Sequence, residues 1–176
     1  MTDEDELIAR ARTGDAAAFA ALLDPHRARL WSVCVRITGS HHDAEDALQD
    51  ALTVAWLHLD RFRGESRLGT WLYRIAANAA LAVVRRRRDV PRGEWADDLV
   101  VTSDHASRVA DGMLVRGGIA SLPPVFREAL VLREIGDLTY EEIAAHQGVG
   151  VQTVKSRLSR ARAALAVALT SGDDDR

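Results

Sequence analysis

Between Val151 and Leu169 the chain carries Lys155, Arg157, Arg160 and Arg162 and no acidic residue. In a protein of net charge −3, an acid-free basic stretch suits a surface for phosphates and base edges. A second basic island lies upstream, where residues 61–92 hold nine basic against two acidic side chains. It includes Arg63, Ser66, Arg67, Arg74, Asn78 and an unbroken run from Arg85 through Arg86 to Arg88. Guanidinium groups pair with phosphate oxygens, and the Asn78 amide both donates and accepts, as reading a base edge requires. Residues 93–115 between the islands carry five acids and one arginine. The pattern points to two places where one polyanion touches the chain.

Catalytic chemistry finds little footing. His41, His42, Asp43, Glu45, Asp46 and His58 are metal-ligand types. Adjacent histidines on a helix point apart, however, and no i, i+4 histidine pair is present. There is no glycine-rich phosphate loop and no nucleophile elbow. No catalytic residue, metal or cofactor is therefore expected. The single cysteine, Cys34, rules out an intrachain disulfide and reads as a small buried hydrophobe in mid-helix. The first residues are acidic, unlike a signal peptide, and no apolar run is long enough to span a membrane. A cytoplasmic protein without membrane insertion is the expectation.

The elements that position the basic islands read as helices throughout. One helix is expected to run from about Asp3 towards Thr13. Asp15 caps Ala16 to Leu23, and another helix covers His26 to Thr38 and stops at Gly39-Ser40. A helix over Asp43 to Leu59 is expected to start on an aspartate cap. Residues 62–69 read as a glycine-punctuated loop, with Thr70 capping a long helix from Trp71 to about Arg88. Its core is expected at Trp71, Leu72, Ile75, Ala79 and Val83. Residues 93–110 read as a linker. A second unit starts near Ala110, breaks at Ser121 to Pro124, resumes over Val125 to Ile135 and breaks again at Gly136-Asp137.

That unit ends in a helix-turn-helix. Thr139 and Glu142 form a capping box for a helix over Tyr140 to Gln147, with Ile143 and Ala144 inward and Ala145 allowing close packing. Gly148 suits the left-handed turn residue. Val151, Val154, Leu158, Ala161 and Leu165 then make a core stripe. Gln152, Thr153, Lys155, Ser156, Arg157 and Arg160 face away from it, as major-groove reading needs.

Together these motifs resemble an extracytoplasmic-function (ECF) sigma factor of the sigma-70 family, the subunit that guides bacterial RNA polymerase to promoters. The resemblance rests on DAEDALQD over 43–50, Ala55-Trp56, FRGES over 62–66, TWLYRIA over 70–76 and Asn78. In the second unit it rests on Leu122-Pro123, the helix-turn-helix, TVKSR over 153–157 and RAR over 160–162. It implies an all-α fold of two small helical domains joined by a flexible acidic linker. Residues 1–92 correspond to sigma region 2, 93–110 to the linker, 111–170 to region 4 and 171–176 to a tail. It also implies that Asp46, Gln49 and Asp50 dock on the β′ clamp helices of core RNA polymerase. Arg63, Ser66, Arg67, Arg74, Asn78, Arg85 and Arg86 then bind the minus-ten element of promoter DNA as a single strand with a flipped base. Gln152, Thr153, Lys155, Ser156, Arg157 and Arg160 read the minus-thirty-five element as duplex, and this unit also contacts the β flap. An anti-sigma factor lodged between the units is a further implied partner. Val54, Leu68, Ala82 and Gly150 depart from the usual pattern. A stand-alone helix-turn-helix transcription regulator is the alternative reading, and it leaves the 62–88 segment without a role.

Overall fold

A computed structural model describes residues 3–89, 115 and 117–171. The expected linker over 93–110, the start near Ala110 and the tail after Ser171 lie outside the described residues. Among those described, every regular element is helical. α1 (Asp3–Arg12) opens on four acids and closes on arginines, matching its dipole. α2 (Ala16–Leu23) is capped by Asp15, whose Oδ1 accepts from the Ala17 and Ala18 amides at 3.0 Å. The Ala18 amide and the Arg10 guanidinium 2.7 Å away hold the Asp15 carboxyl below the usual carboxylate range.

α3 (Arg27–Thr38) ends at Gly39 with φ 75°. α4 (His41–Leu57) follows, and its cap is Ser40, whose Oγ accepts from the Asp43 amide at 3.3 Å. The expected aspartate cap is thus corrected: Asp43 lies inside the first turn and pairs with Arg87 at 3.0 Å. α5 (Leu68–Asp89) likewise starts two residues before Thr70, which is buried rather than capping. Gly69 belongs to this helix. A Cβ there would meet His26 Cε1 at 2.9 Å, so the glycine makes room for that ring. His26 Nδ1 lies 2.9 Å from the Tyr73 hydroxyl, and burial lowers the His26 pKa and raises that of Tyr73. Both groups are thereby favoured in their neutral forms.

The first core centres on α3, where Leu30, Val33, Cys34 and Ile37 are sealed from solvent. α4 meets it with Ala44, Ala47, Ala51 and Ala55, a stripe of small residues that brings the helix axes close. α5 buries Leu68, Leu72, Tyr73, Ala76, Ala77, Ala80, Leu81 and Val83. Trp71, Ile75 and Ala79 are only partly buried, so the stripe sits one position round from the expected one.

In the second unit, helical residues 117–121 precede α6 (Pro124–Glu134), α7 (Tyr140–Gln147) and α8 (Val151–Ser171). The two units are not separate bodies here, since α6 packs against α3 and α5. Arg127 on α6 is buried and donates to the Ile37 carbonyl at the end of α3 at 2.7 Å. It also donates to the carbonyls of Ala120 and, at 3.1 Å, Leu122. Arg29 and Asp137 form a second bridge between the units at 2.8 Å.

Two outcomes follow from this packing. Arg127→Leu strands buried carbonyls and is expected to cost about 2–4 kcal/mol in urea unfolding. Burial also pushes the Cys34 thiol up to about 12 from an ordinary 9.0. Its contribution to stability is therefore whole below the ordinary value and is lost as pH rises towards the folded one. Native protein at mildly alkaline pH should resist iodoacetamide at Cys34, while denatured protein is alkylated fully.

Candidate nucleic-acid interface

The helix-turn-helix is built by local chemistry. Thr139 Oγ1 accepts from the Glu142 amide at 3.1 Å, and the Glu142 carboxylate accepts from the Thr139 amide at 2.8 Å. Gly148 adopts φ 63°, a left-handed conformation in which a side chain is strained. α7 is thereby stopped and α8 turned across it. Ile143, Ala144, Val154, Leu158 and Ala161 are buried between the helices and α6, with Val151 and Leu165 partly so. Ala145 is exposed, so it does not serve the close packing expected of it.

On the outer side of α8, Gln152, Thr153, Lys155, Ser156 and Arg160 are exposed together. Lys155 Nζ lies 5.9 Å from the Tyr140 ring centroid, and Arg133 lies 5.0 Å from the same ring. Arg157 differs from its neighbours. It is half-buried, and its Nη1 donates to Gln147 Oε1 at 2.7 Å. Arg162 turns back to α6 and pairs with Glu134 at 2.7 Å. The basic residues of α8 therefore divide into an exposed group, the half-buried Arg157 anchored to α7, and Arg162, which is paired across the surface to α6.

In the first unit, Arg63, Arg67, Asn78 and Arg85 are exposed, and Ser66 and Arg74 are half-buried. Arg74, Asn78 and Arg85 follow one another at helical spacing along a single side of α5. The Phe62 and Trp71 rings, one at each side of the loop in sequence, meet at a tilt with centroids 5.4 Å apart. Arg86 points elsewhere. It pairs with Asp50 on α4 at 3.0 Å, beside the Arg87–Asp43 pair. Asp46, Gln49 and Asp50 share one exposed side of α4 and line an open cleft of about 460 Å³ with Arg86 and Arg87. That side continues into two exposed apolar residues, Val54 and Leu57. Among the described residues no three metal-capable side chains converge. His41 packs its ring against Trp31 at 5.7 Å.

Sequence reasoning missed a buried polar cluster beneath α8. Glu128 on α6 accepts from His146 Nε2 at 2.8 Å and from Gln147 Nε2 at 2.7 Å. The signal was available: Arg127 and Glu128 interrupt the otherwise apolar face of α6, where a charge is tolerated only with partners.

Comparison with known proteins agrees with this geometry. Residues 22–90 match Sigma-70 region 2, and residues 113–165 match Sigma-70 region 4. The chain is 31% identical to the ECF RNA polymerase sigma factor SigW of Bacillus subtilis, over 90% of this chain and 92% of that one. It is 36% identical to the RNA polymerase sigma-H factor of Pseudomonas aeruginosa, over 94% and 93%. It is 36% identical to the ECF RNA polymerase sigma-E factor of Escherichia coli, again over 94% and 93%. Among solved structures, CnrH in complex with the cytosolic domain of CnrY superposes with TM-score 0.71 at 28% identity, covering 96% of this chain and 99% of that one. The sigma factor RpoE bound to the anti-sigma factor NepR from Bartonella quintana gives 0.68 at 28% identity, covering 86% and 96%. Both sigma segments occur in order, on the two helical units that carry the basic islands, and the chain belongs to the sigma-70 family as an ECF sigma factor.

Proposed function

We propose that this chain, as an alternative sigma factor, directs core RNA polymerase to promoters through three surfaces. The observation that carries the reading is the placement of two DNA-suited basic faces on the two units that match regions 2 and 4. Residues 1–92 act as the region 2 domain and 111–170 as the region 4 domain, with 93–110 linking them. Arg63, Ser66, Arg67, Arg74, Asn78 and Arg85 bind the opened minus-ten strand. Gln152, Thr153, Lys155, Ser156, Arg157 and Arg160 bind the minus-thirty-five duplex. Asp46, Gln49 and Asp50 dock on the β′ clamp helices, with Val54 and Leu57 extending that contact, and the second unit touches the β flap. The chain performs no catalysis and works beside the polymerase in the cytoplasm. A stand-alone regulator would need only the helix-turn-helix and would leave the region 2 surfaces idle.

Arg86 links two of these surfaces. The Arg86–Asp50 pair is exposed on both sides, at 65% and 55%. Such pairs contribute only about 0.2–1 kcal/mol. Polymerase contact at Asp50 can therefore displace Arg86 cheaply and leave it for DNA.

Binding both elements also requires the two units to separate. The elements lie about 25 base pairs apart by name, roughly 85 Å at about 3.4 Å per pair. A compact chain of this length has a radius of gyration of about 16 Å. The packing of α6 on α3 is then the arrangement of the chain away from the promoter. An anti-sigma factor is a fitting partner for that state, because both solved relatives are complexes and one is named as such.

The decisive experiment mixes the purified chain with core polymerase. We expect tight core binding and transcription from discrete start sites. Nanomolar binding to duplex operators by the chain alone, with no binding to core, would refute the reading. Lys155→Ala should weaken promoter binding and lower the log–log salt slope by about one if its contact is to phosphate. Asp50→Arg should weaken core binding while leaving the fold intact, checked by circular dichroism.

A further inference from the structure

Arg157 is the basic residue of the outer α8 set whose guanidinium is held by a side chain of another helix. Its partner, Gln147, is held in turn. Gln147 Nε2 donates to Glu128 Oε2 at 2.7 Å and to the Val125 carbonyl at 3.0 Å. The Val125 carbonyl can only accept, so the amide nitrogen must face it and Gln147 Oε1 must face Arg157. Oε1 accepts from Arg157 Nη1 at 2.7 Å. Glu128 is itself immobilised, being buried on α6 with its other oxygen on His146 at 2.8 Å. A relay of hydrogen bonds therefore runs from a buried carboxylate, through an amide, to a guanidinium on the outer helix.

We propose that Gln147 is a positioning residue for promoter recognition, fixing the plane of the Arg157 guanidinium so that it reads a guanine edge rather than a phosphate. The inference rests on the reading of α8 as the helix that enters the upstream element. A phosphate accepts hydrogen bonds from many directions, and the exposed Lys155 and Arg160 suffice for it. A guanine edge needs two parallel N–H groups in one plane. Arg157 keeps further N–H groups after the one given to Gln147. It lies in register with Thr153 and Arg160, at i−4 and i+3, on the side of α8 turned to solvent. Gln147 also blocks a direct ion pair between Arg157 and Glu128, which would draw the guanidinium inward. Its amide carries orientation to the arginine and leaves the positive charge for DNA.

The test uses holoenzyme assembled from core polymerase and the full chain. It selects from a pool of promoter duplexes randomised over the upstream element, and the selected pool is sequenced. The wild-type chain should enrich guanine at one position by roughly tenfold or more, the range of a bidentate contact. Arg157→Ala should lose that enrichment and keep the others. Gln147→Met, which retains length without an amide, should lose it at the same position, and the double variant should be no worse than Arg157→Ala. Gln147→Asn, whose shorter amide cannot span from Glu128 to Arg157, should lose the same preference, so the test stands even if Gln147→Met folds poorly. An unchanged preference in Gln147→Met would overturn the assignment, as would an even loss across all sequences or loss at a position different from that of Arg157→Ala. A wild-type holoenzyme that selects no upstream element at all would instead overturn the reading of α8 itself.

Discussion

The arrangement depends on the burial of two adjacent opposite charges, Arg127 and Glu128, the charged side chains among the described residues that are nearly lost to solvent. Successive residues on a helix diverge by about 100°, so the two leave α6 in different directions. Arg127 reaches the end of α3 in the first unit, and Glu128 reaches His146 and Gln147 in the helix-turn-helix. A buried ion without partners costs several kcal/mol. Each is therefore committed to its contacts, and together they set α6 in relation to both neighbours. The Ile37 carbonyl is a fitting acceptor, since a helix C-terminus carries partial negative charge and unpaired carbonyls.

Exposed pairs have the opposite character. Arg29–Asp137, Arg86–Asp50 and Arg162–Glu134 all keep more than half of each side chain in solvent. They cost little to break. Two of them lie on surfaces proposed to change partner, the unit interface and the side of α4 that carries Asp46, Gln49 and Asp50. The molecule thus places strong polar contacts where geometry must persist and weak ones where partners exchange. Arg127 stands between these cases. Its bonds to Ala120 and Leu122 stay within the second unit, whereas its bond to Ile37 crosses between the units.

Much of the fold was legible because its signals are local. Asp15, Gly39, the Thr139–Glu142 box and Gly148 each act through backbone atoms within a few residues, and each sits where the sequence placed it. The misplacements involve partners far along the chain. Ser40 and Asp43 are equally good caps in isolation, and the arginine at position 87 decides between them by claiming Asp43. Gly69 reads as a loop residue until His26, more than forty residues away, is seen against it. The arginine run showed a basic surface, but not that Arg86 and Arg87 turn towards α4. The packing of one unit on the other was the least legible feature, since nothing near Arg127 in the sequence marks the Ile37 carbonyl ninety residues away as its acceptor.

The same distinction separates the two ways this chain can treat DNA. Exposed arginines on flexible stems attract phosphates without regard to sequence, and their number sets affinity and its salt dependence. Sequence discrimination needs a donor whose direction is settled before DNA arrives, because a side chain ordered only on contact spends binding energy on its own ordering. In α8 the capping box and Gly148 settle the helix, the apolar stripe settles its rotation, and the Glu128–Gln147 pair settles one guanidinium on its surface. Each step narrows the freedom left by the one before. What begins as an acid-free basic stretch ends with Arg157 as the position where direction, and not charge alone, is specified.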